Sequence, residues 1–376
     1  MIGTLRISTA ALRNNARLLR ELVGAQRAAF VVKANAYGHG IVDTALAIEG
    51  LAAKLCVFNV DEALELRDGG ITAPILIMGP IPPERLDDAM ACKAEVALWD
   101  IKSFARDLSQ AALRAQTRAQ AHVKINTGLN RLGLDPRDLP DAVEAYGRAN
   151  GLEIAGIFSH LAAAEELDSP YTMLQLERFN NAYQQAAPIL AARGFTPIRH
   201  IAASAAAMLW PQTRLDLSRF GIALYGLWPS AATKEAMNGE NLPLQPALSY
   251  ESQLIVVRTI DAGEPVGYGL TYHAPRQMRI GVVPLGYADG VPRALSNKGT
   301  VLVDGTRCAI IGRVAMNMFF VDLSHVPDAH AGSNVTLIGR EGSQEISVDD
   351  WAAWSDSINY EIVSRLPSTL ARVYAE

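Results

Sequence analysis

A parallel (β/α)8 (TIM) barrel followed by a C-terminal, mainly β-strand domain is the fold that this sequence predicts. Three observations carry it. Eight short apolar runs recur through the first part of the chain, with helix-like segments between most of them, which is the pattern of a parallel sheet covered by crossover helices. Lys33, His160, Ser204 and Arg219 fall at or just past the C-terminal ends of those runs, the face on which such barrels build their active sites. After Tyr225 the texture changes to strand-like runs separated by turns such as Asp304-Gly305.

The elements follow in order. A helical stretch, Thr9–Val23, precedes the first strand. The strand candidates are Phe30–Lys33, Leu55–Phe58, Ile75–Met78, Glu95–Leu98, His122–Ile125, Ile154–Ser159, Ile198–Ala202 and Phe220–Tyr225. Between them, Asp61–Arg67, Pro83–Cys92 and Pro170–Arg193 read as helices, with starts marked by Asp61 and Ser169-Pro170 and a stop by Gly194. Leu227–Gln245, with its prolines, glycine and asparagines, reads as a linker. Beyond it Leu254–Ile260, Ile280–Pro284, Thr300–Val303, Cys308–Ile311, Phe319–Leu323 and Val335–Ile338 read as strands, and only Val348–Ser355 looks helical. The expected division is a barrel over residues 1–235 and a β domain over 236–376, in keeping with a chain of 376 residues.

Composition narrows the function. Hydrophobic residues make up 49% and charged residues 19% of the chain, enough apolar side chains for a sizeable core. The formal net charge is −5 and no Lys/Arg-rich run occurs, so neither nucleic acid nor an anionic membrane is an expected partner. No apolar stretch reaches membrane-spanning length, and residues 1–6 show no signal-peptide pattern. Cys56, Cys92 and Cys308 are too scattered for a metal site or a disulfide framework. The expectation is a cytoplasmic protein without a metal.

Chemistry enters at Val31-Val32-Lys33-Ala34-Asn35-Ala36-Tyr37-Gly38-His39-Gly40. A lysine ending a buried strand is costly as an unpaired ammonium. One outlet is a Schiff base with an aldehyde, where burial keeps the amine neutral and nucleophilic. The other reading is a surface lysine just past the strand. This decapeptide resembles the pyridoxal-phosphate lysine motif of alanine racemases. Similar stretches recur in family order at Lys124–Gly133, Gly156–His160, Arg219–Gly226, Pro265–Tyr272, Val283–Gly290, Gly312–Asn317 and Asn359–Arg365, which is far more specific than one motif.

The resemblance implies a racemase that interconverts L-alanine and D-alanine with pyridoxal 5'-phosphate, supplying D-alanine as a peptidoglycan precursor or consuming it. It makes Lys33 the cofactor lysine and one catalytic base. It gives the phosphate to Tyr37, Ser204, Gly221, Ile222 and Tyr360, with Gly221 and Ile222 acting through backbone N–H groups. It sets Arg219 at the pyridine nitrogen. Arginine cannot accept a proton there, so the ring is a weaker electron sink and transamination is suppressed. Arg131 is given to the phenolic oxygen and to substrate. Lys124 is carbamylated in some family members and pairs with that arginine; an ordinary salt bridge is the equal alternative. His160 stacks on the cofactor or supports Arg219, and His200 stands behind it.

Inverting a stereocentre is most simply done with a second base on the opposite face. Tyr268, in Gly267-Tyr268-Gly269, matches the family's catalytic tyrosine, which reaches the site of the other subunit; the implied partner is therefore a second copy, in a homodimer with shared active sites. An ordinary tyrosine titrates near pH 10 and needs cationic neighbours to act near neutrality; His160 and Arg219 are the candidates. Tyr287 and Tyr360 would narrow the entrance, and the Met316 N–H would meet the substrate carboxylate. Three positions depart from the commonest family form: Asn126 and Asn317 stand where aspartate is usual, and Ala203 where asparagine is. Racemases of another small amino acid such as serine, decarboxylases of the same fold, and a pyridoxal-phosphate carrier are the alternatives. A carrier lacks the β domain and its tyrosine, so the residues from Gln245 onward speak against it.

Overall fold

A computed structural model describes residues 3–100, 103–237 and 242–376. The chain divides into two compact units: Ala11–Ala34 with Ile41–Pro246, and Met1–Ala10 with Asn35–Gly40 and Ala247–Glu376.

The first strand, β1 (Gly3–Ser8), pairs in the sheet of the second unit. The barrel strands are β2 (Ala28–Val31), β3 (Lys54–Val57), β4 (Ile75–Ile77), β5 (Glu95–Leu98), β6 (Ala119–Lys124), β7 (Leu152–Phe158), β8 (Ile198–His200) and β9 (Ser218–Phe220). They lie in the order β8-β7-β6-β5-β4-β3-β2-β9, every pair parallel. The Arg219 N–H donates to the Ala202 carbonyl (3.1 Å) and the Asp216 N–H to that of Arg199 (3.0 Å), which brings β9 back beside β8 and all but closes the ring. Continuous apolar runs form these strands because both faces are covered: β2, β3 and β4 are buried at every position.

The helices are α1 (Thr9–Val23), α2 (Lys33–Tyr37), α3 (Ile41–Ile48), α4 (Val60–Asp68), α5 (Leu86–Ala91), α6 (Ser103–Arg114), α7 (Leu139–Gly147), α8 (Tyr171–Ala192), α9 (Ser204–Leu209) and α10 (Ala231–Met237). In α1, Leu12, Ala16, Leu19 and Val23 recur at helical spacing and are buried. Among the described residues no helix is long and apolar enough to cross a membrane.

Two local expectations need correcting. The eighth strand is Ser218–Phe220 and not Phe220–Tyr225, so Arg219 lies within it and not at or past its end, and Ile222–Tyr225 forms a 3₁₀ turn closed by Gly226 at φ +78°. The expected linker contains a helix, α10; its residues 238–241 lie outside the described residues.

In the second unit the strands β10 (Leu248–Gln253), β11 (Val256–Ile260), β12 (Met278–Val283), β13 (Thr300–Val303), β14 (Thr306–Ile311), β15 (Phe319–Asp322), β16 (Asn334–Glu341), β17 (Gln344–Ile346) and β18 (Ala371–Ala375) accompany α11 (Val348–Ser355) and α12 (Asn359–Ser364). The sheet runs β11-β12-β15-β14-β13-β16-β10-β1-β18, with β17 on β16. Helix α12 was not expected; its N-cap position is Ile358, whose side chain makes no cap hydrogen bond and leaves no start signal to read.

Candidate active site

Lys33 does not end its strand. β2 stops at Val31, the Val32 N–H donates to the Cys56 carbonyl (2.9 Å), and Lys33 opens the five-residue turn α2. The next four residues, Ala34, Asn35, Ala36 and Tyr37, have φ of 52–53°. This is a left-handed helical turn made of residues with side chains, a conformation that costs about 1–2 kcal/mol per residue. Such strain persists only where the surroundings over-determine it. The Gly40 N–H donates to the Asn35 carbonyl and the His39 N–H to that of Ala36. Gly38 follows at φ +81°, and a Cβ there would sit 2.0 Å from the Val363 carbonyl oxygen. Glu62, in the first turn of α4, accepts from the Ala34 N–H (2.6 Å) and the Phe58 N–H (2.7 Å), so one carboxylate ties two loops at the barrel's C-terminal end.

Around Lys33 the barrel unit gathers positive charge. Burial lowers the Lys33 amine, the charge of Arg131 lowers it further, and Glu62 opposes them. Lys124, 7% exposed at the end of β6, is lowered to about 8 by burial and then by Arg219, Arg131 and Lys33. His160, just past β7, is held to about 3 by burial and by the same four cations, Arg219, Arg131, Lys124 and Lys33. It is therefore neutral, and its Nδ1 accepts from Arg219 (3.3 Å) because a guanidinium only donates.

Arg219 is 3% exposed. Its terminal nitrogens donate to His200 Nδ1 (2.7 Å) and to the Ser159 (2.9 Å) and Ile201 (3.3 Å) carbonyls. Its Nε–H takes part in none of these bonds. The Phe158 ring lies beneath the cluster, 5.4 Å from Lys124 Nζ, 5.6 Å from the Arg219 guanidinium carbon and stacked on His200 at 4.8 Å. Lys33 Nζ stands 5.8 Å over Phe58. Aromatic faces attract cations and keep the ammonium groups oriented where carboxylates are scarce.

The loop after β9 offers backbone donors. The Gly221 N–H donates to Ser204 Oγ (3.0 Å). The Ile222 N–H, at the first position of its turn and fully buried, donates to none of the described residues. A buried, unpaired N–H is rare and calls for an acceptor. Arg131 and Lys124 flank the segment whose Asn126 Oδ1 accepts from the Gly128 and Asn130 N–H groups (3.1 and 2.9 Å); asparagine makes there the turn that an aspartate would make. Ala203, at the N-cap of α9, makes no side-chain cap.

In the strand-rich unit the Tyr37 and Tyr360 rings lie 6.3 Å apart. Tyr268 stands 74% exposed in the short turn Tyr268–Leu270. The Tyr287 N–H donates to the Ala315 carbonyl and the Ala288 N–H to that of Met316, which brings the Tyr287 and Met316 segments together. The Met316 N–H makes no hydrogen bond among the described residues. Asn317 Nδ2 donates to Asp289 Oδ2 (3.4 Å), a contact that an aspartate at 317 would turn into repulsion.

Sequence reasoning missed Phe158, Glu62 and the polar residues inside the barrel, Lys54, Glu95 and His122. The signal was present for the last two: Glu95 and His122 each open a strand candidate, Glu95 before three apolar residues and His122 before Val123, Lys124 and Ile125.

Comparison with known proteins agrees with this picture. Residues 7–229 match the family model for the alanine racemase N-terminal domain and residues 247–374 that for the C-terminal domain. The chain is 39% identical to an alanine racemase of Desulforamulus reducens over 372 residues, 98% of this chain and 97% of that protein. It is 39% identical to one of Hahella chejuensis over 371 residues, 97% and 95% of the two. Among solved structures it resembles the alanine racemase of D-cycloserine-producing Streptomyces lavendulae, with a TM-score of 0.93 and 35% identity, covering 100% of this chain and 97% of that one. It also resembles that of Bartonella henselae with covalently bound pyridoxal phosphate, with a TM-score of 0.85 and 28% identity, covering 100% of both chains.

Proposed function

We propose how this chain, which belongs to the alanine racemase family, divides the interconversion of L-alanine and D-alanine among its own residues. The reading rests on one observation above others. Lys33, Lys124, Arg131, His160 and Arg219 lie close enough to act on one another at the C-terminal end of the barrel, with the Glu62 carboxylate acting on Lys33. A cluster so charged fits an anionic cofactor, and the family depends on pyridoxal 5'-phosphate.

The residues present fit that group. The buried Ile222 N–H, which donates to none of the described residues, is a ready phosphate donor, and we assign the phosphate to it with Gly221, Ser204, Tyr37 and Tyr360. We assign the Arg219 Nε–H to the ring nitrogen and Arg131 to the phenolic oxygen and the substrate. His160 is the neutral support of Arg219. When bound, the cofactor withdraws electrons from Cα and so acidifies its C–H bond. Lys33, whose lowered affinity for protons suits a base near neutrality, takes or returns the proton on one face of Cα. The Tyr268 hydroxyl does the same on the other face. The Met316 N–H binds the substrate carboxylate, and Tyr287 narrows the entrance to small side chains. Carbamylation of Lys124 would turn a cation among cations into an anion that pairs with Arg131.

We further propose a homodimer in which the 236–376 portion lends Tyr268 to the partner's barrel, the portion over 1–235. In support, Tyr268, Leu270, Met316 and Met318 are large hydrophobic side chains left exposed in the strand-rich unit, a surface that suits burial. Free, buried Cys56, Cys92 and Cys308 suit a reducing, cytoplasmic setting.

The test is to incubate the protein and pyridoxal phosphate with single L-amino acids and resolve the products chirally. D-alanine should dominate. No D-product alongside a borohydride-reducible adduct at Lys33 would overturn the racemase reading. Deuterium wash-in assigns the faces: Tyr268→Phe should slow proton removal from L-alanine more than from D-alanine, and equal slowing would refute the assignment.

A further inference from the structure

The interior of a parallel barrel is ordinarily packed with branched apolar side chains. Here β3, β5, β6 and β8 contribute Lys54, Glu95, His122 and His200, all buried or nearly so. They form a chain of hydrogen bonds. Lys54 Nζ donates to Glu95 Oε1. Glu95 Oε2 lies 2.5 Å from His122 Nε2, His122 Nδ1 lies 2.8 Å from His200 Nε2, and His200 Nδ1 lies 2.7 Å from an Arg219 terminal nitrogen. The ladder shifts register between Ala121 and His122, and such a bulge re-aims a side chain. Gly156 makes room: a Cβ there would sit 2.2 Å from His122 Nδ1.

The direction of every link is forced. Arg219 only donates, so His200 Nδ1 must accept and its proton must be on Nε2. That proton is given to His122 Nδ1, so the His122 proton is on Nε2 and is given to Glu95, which as a carboxylate only accepts. A second proton on either ring would set N–H against N–H. Burial pushes both imidazoles toward the neutral form as well, His200 well below its ordinary range. Burial also raises Glu95, but the hydrogen bond from His122 and the charge of Lys54 oppose it and hold the carboxyl below its ordinary range. No carboxylate forms an ion pair with Arg219 among the described residues. Its other acceptors are the Ser159 and Ile201 carbonyls and His160 Nδ1, so the lone pair on His200 Nδ1 is its shortest anchor. A tautomer change in His200 would remove that anchor.

We propose that Glu95 and His122, with Lys54 fixing Glu95, are positioning residues for Arg219: through His200 they lock the tautomer that holds the guanidinium and so keep its Nε–H available to the cofactor's ring nitrogen. The proposal rests on the assignment of Arg219 to that nitrogen made above. It explains why a costly polar layer occupies a barrel interior. It also gives the control of side reactions a structural origin several residues away from the reacting atoms.

Nitrogen NMR of the holoenzyme with labelled histidine imidazoles tests it without a variant. His122 and His200 should both appear as neutral Nε2–H tautomers, unchanged from about pH 6 to about pH 9, a range in which an ordinary imidazole titrates. An imidazolium or an Nδ1–H tautomer at either residue overturns the proposal. Glu95→Gln then tests the consequence. The His122 and His200 signals should shift, transamination should rise relative to racemisation, and kcat should fall roughly tenfold with little change in KM, since a hydrogen bond to a charged group is at stake. A folded Glu95→Gln enzyme with wild-type kcat and wild-type partition overturns the proposal. Arg219→Lys separates this from the premise. If it leaves the cofactor absorbance unchanged, the ring-nitrogen assignment falls and the proposal with it, while the histidine pattern stands as measured.

Discussion

Replacing Lys124 by methionine keeps the aliphatic stem beside Phe158 and removes the ammonium, 5.4 Å from that ring. The effect follows from proton linkage. In the unfolded chain this lysine holds its proton up to about its ordinary 10.5; in the folded protein it holds it only up to about 8. Below pH 8 both states are protonated and the folded one bears the whole penalty of burial and of the charges of Arg219, Arg131 and Lys33. Between 8 and 10.5 the unfolded chain binds more protons, so the stability contributed by this group rises with pH. The difference corresponds to about 3 kcal/mol. Lys124→Met should therefore be more stable than wild type by up to about 3 kcal/mol below pH 8 in carbon-dioxide-free buffer, and the advantage should shrink toward pH 10.5. Bicarbonate should narrow it at neutral pH by stabilising only the wild type, if Lys124 is carbamylated. Chemical denaturation of both proteins across the pH series, with and without bicarbonate, is the assay. An advantage that is absent in the carbon-dioxide-free series, or that does not change across the window, would refute the electrostatic account of this site.

Three further outcomes are expected. Glu62→Gln leaves one carbonyl oxygen to serve the Ala34 and Phe58 N–H groups, and denaturant midpoints should show a loss of about 1–2 kcal/mol; an unchanged midpoint would mean that the left-handed turn holds itself. Gly156→Ala drives a methyl group to 2.2 Å from His122 Nδ1, and thermal melting should register a cost of about 1–3 kcal/mol for overpacking a ring that Glu95 and His200 hold on both sides. Asn317→Asp puts a second carboxylate beside Asp289; the variant should melt lower than wild type at low ionic strength and recover in salt, whereas a salt-independent loss would point to packing.

Much of the barrel was legible because buried parallel strands read as apolar runs. Glu95–Leu98 was placed to the residue, and α1 shows its 3.6-residue period plainly. The site residues at strand ends were legible for the same reason: a polar residue stands out against an apolar run. The turn after Lys33 was not. In Ala34-Asn35-Ala36-Tyr37 only the asparagine is of a type that visits the left-handed region; the turn is held by Glu62, 28 residues from Ala34, and packs beside Gly38, where the Val363 carbonyl comes close. Likewise β1 shows only a short alternation, with Leu5 and Ile7 buried, and its partner β10 begins at Leu248.

The polar layer inside the barrel was hidden differently. Lys54, Glu95, His122 and His200 each sit in or at the edge of an apolar run, where a single polar residue reads as a strand boundary. Each is reasonable only beside a partner 41, 27 or 78 residues away. Burying one alone would be strongly unfavourable; burying the set is tolerated because every donor meets an acceptor in one consistent direction from Arg219 to Glu95. The cost of the set is thus concentrated in its ends. Removing the carboxylate leaves the His122 Nε2–H without its acceptor, so that Arg219 alone sets the direction of the chain, whereas replacing an apolar neighbour changes only volume. A layer kept for packing alone would tolerate a well-fitted apolar replacement of the whole set with its activity intact. A layer kept to orient Arg219 would lose control of the reaction while remaining folded.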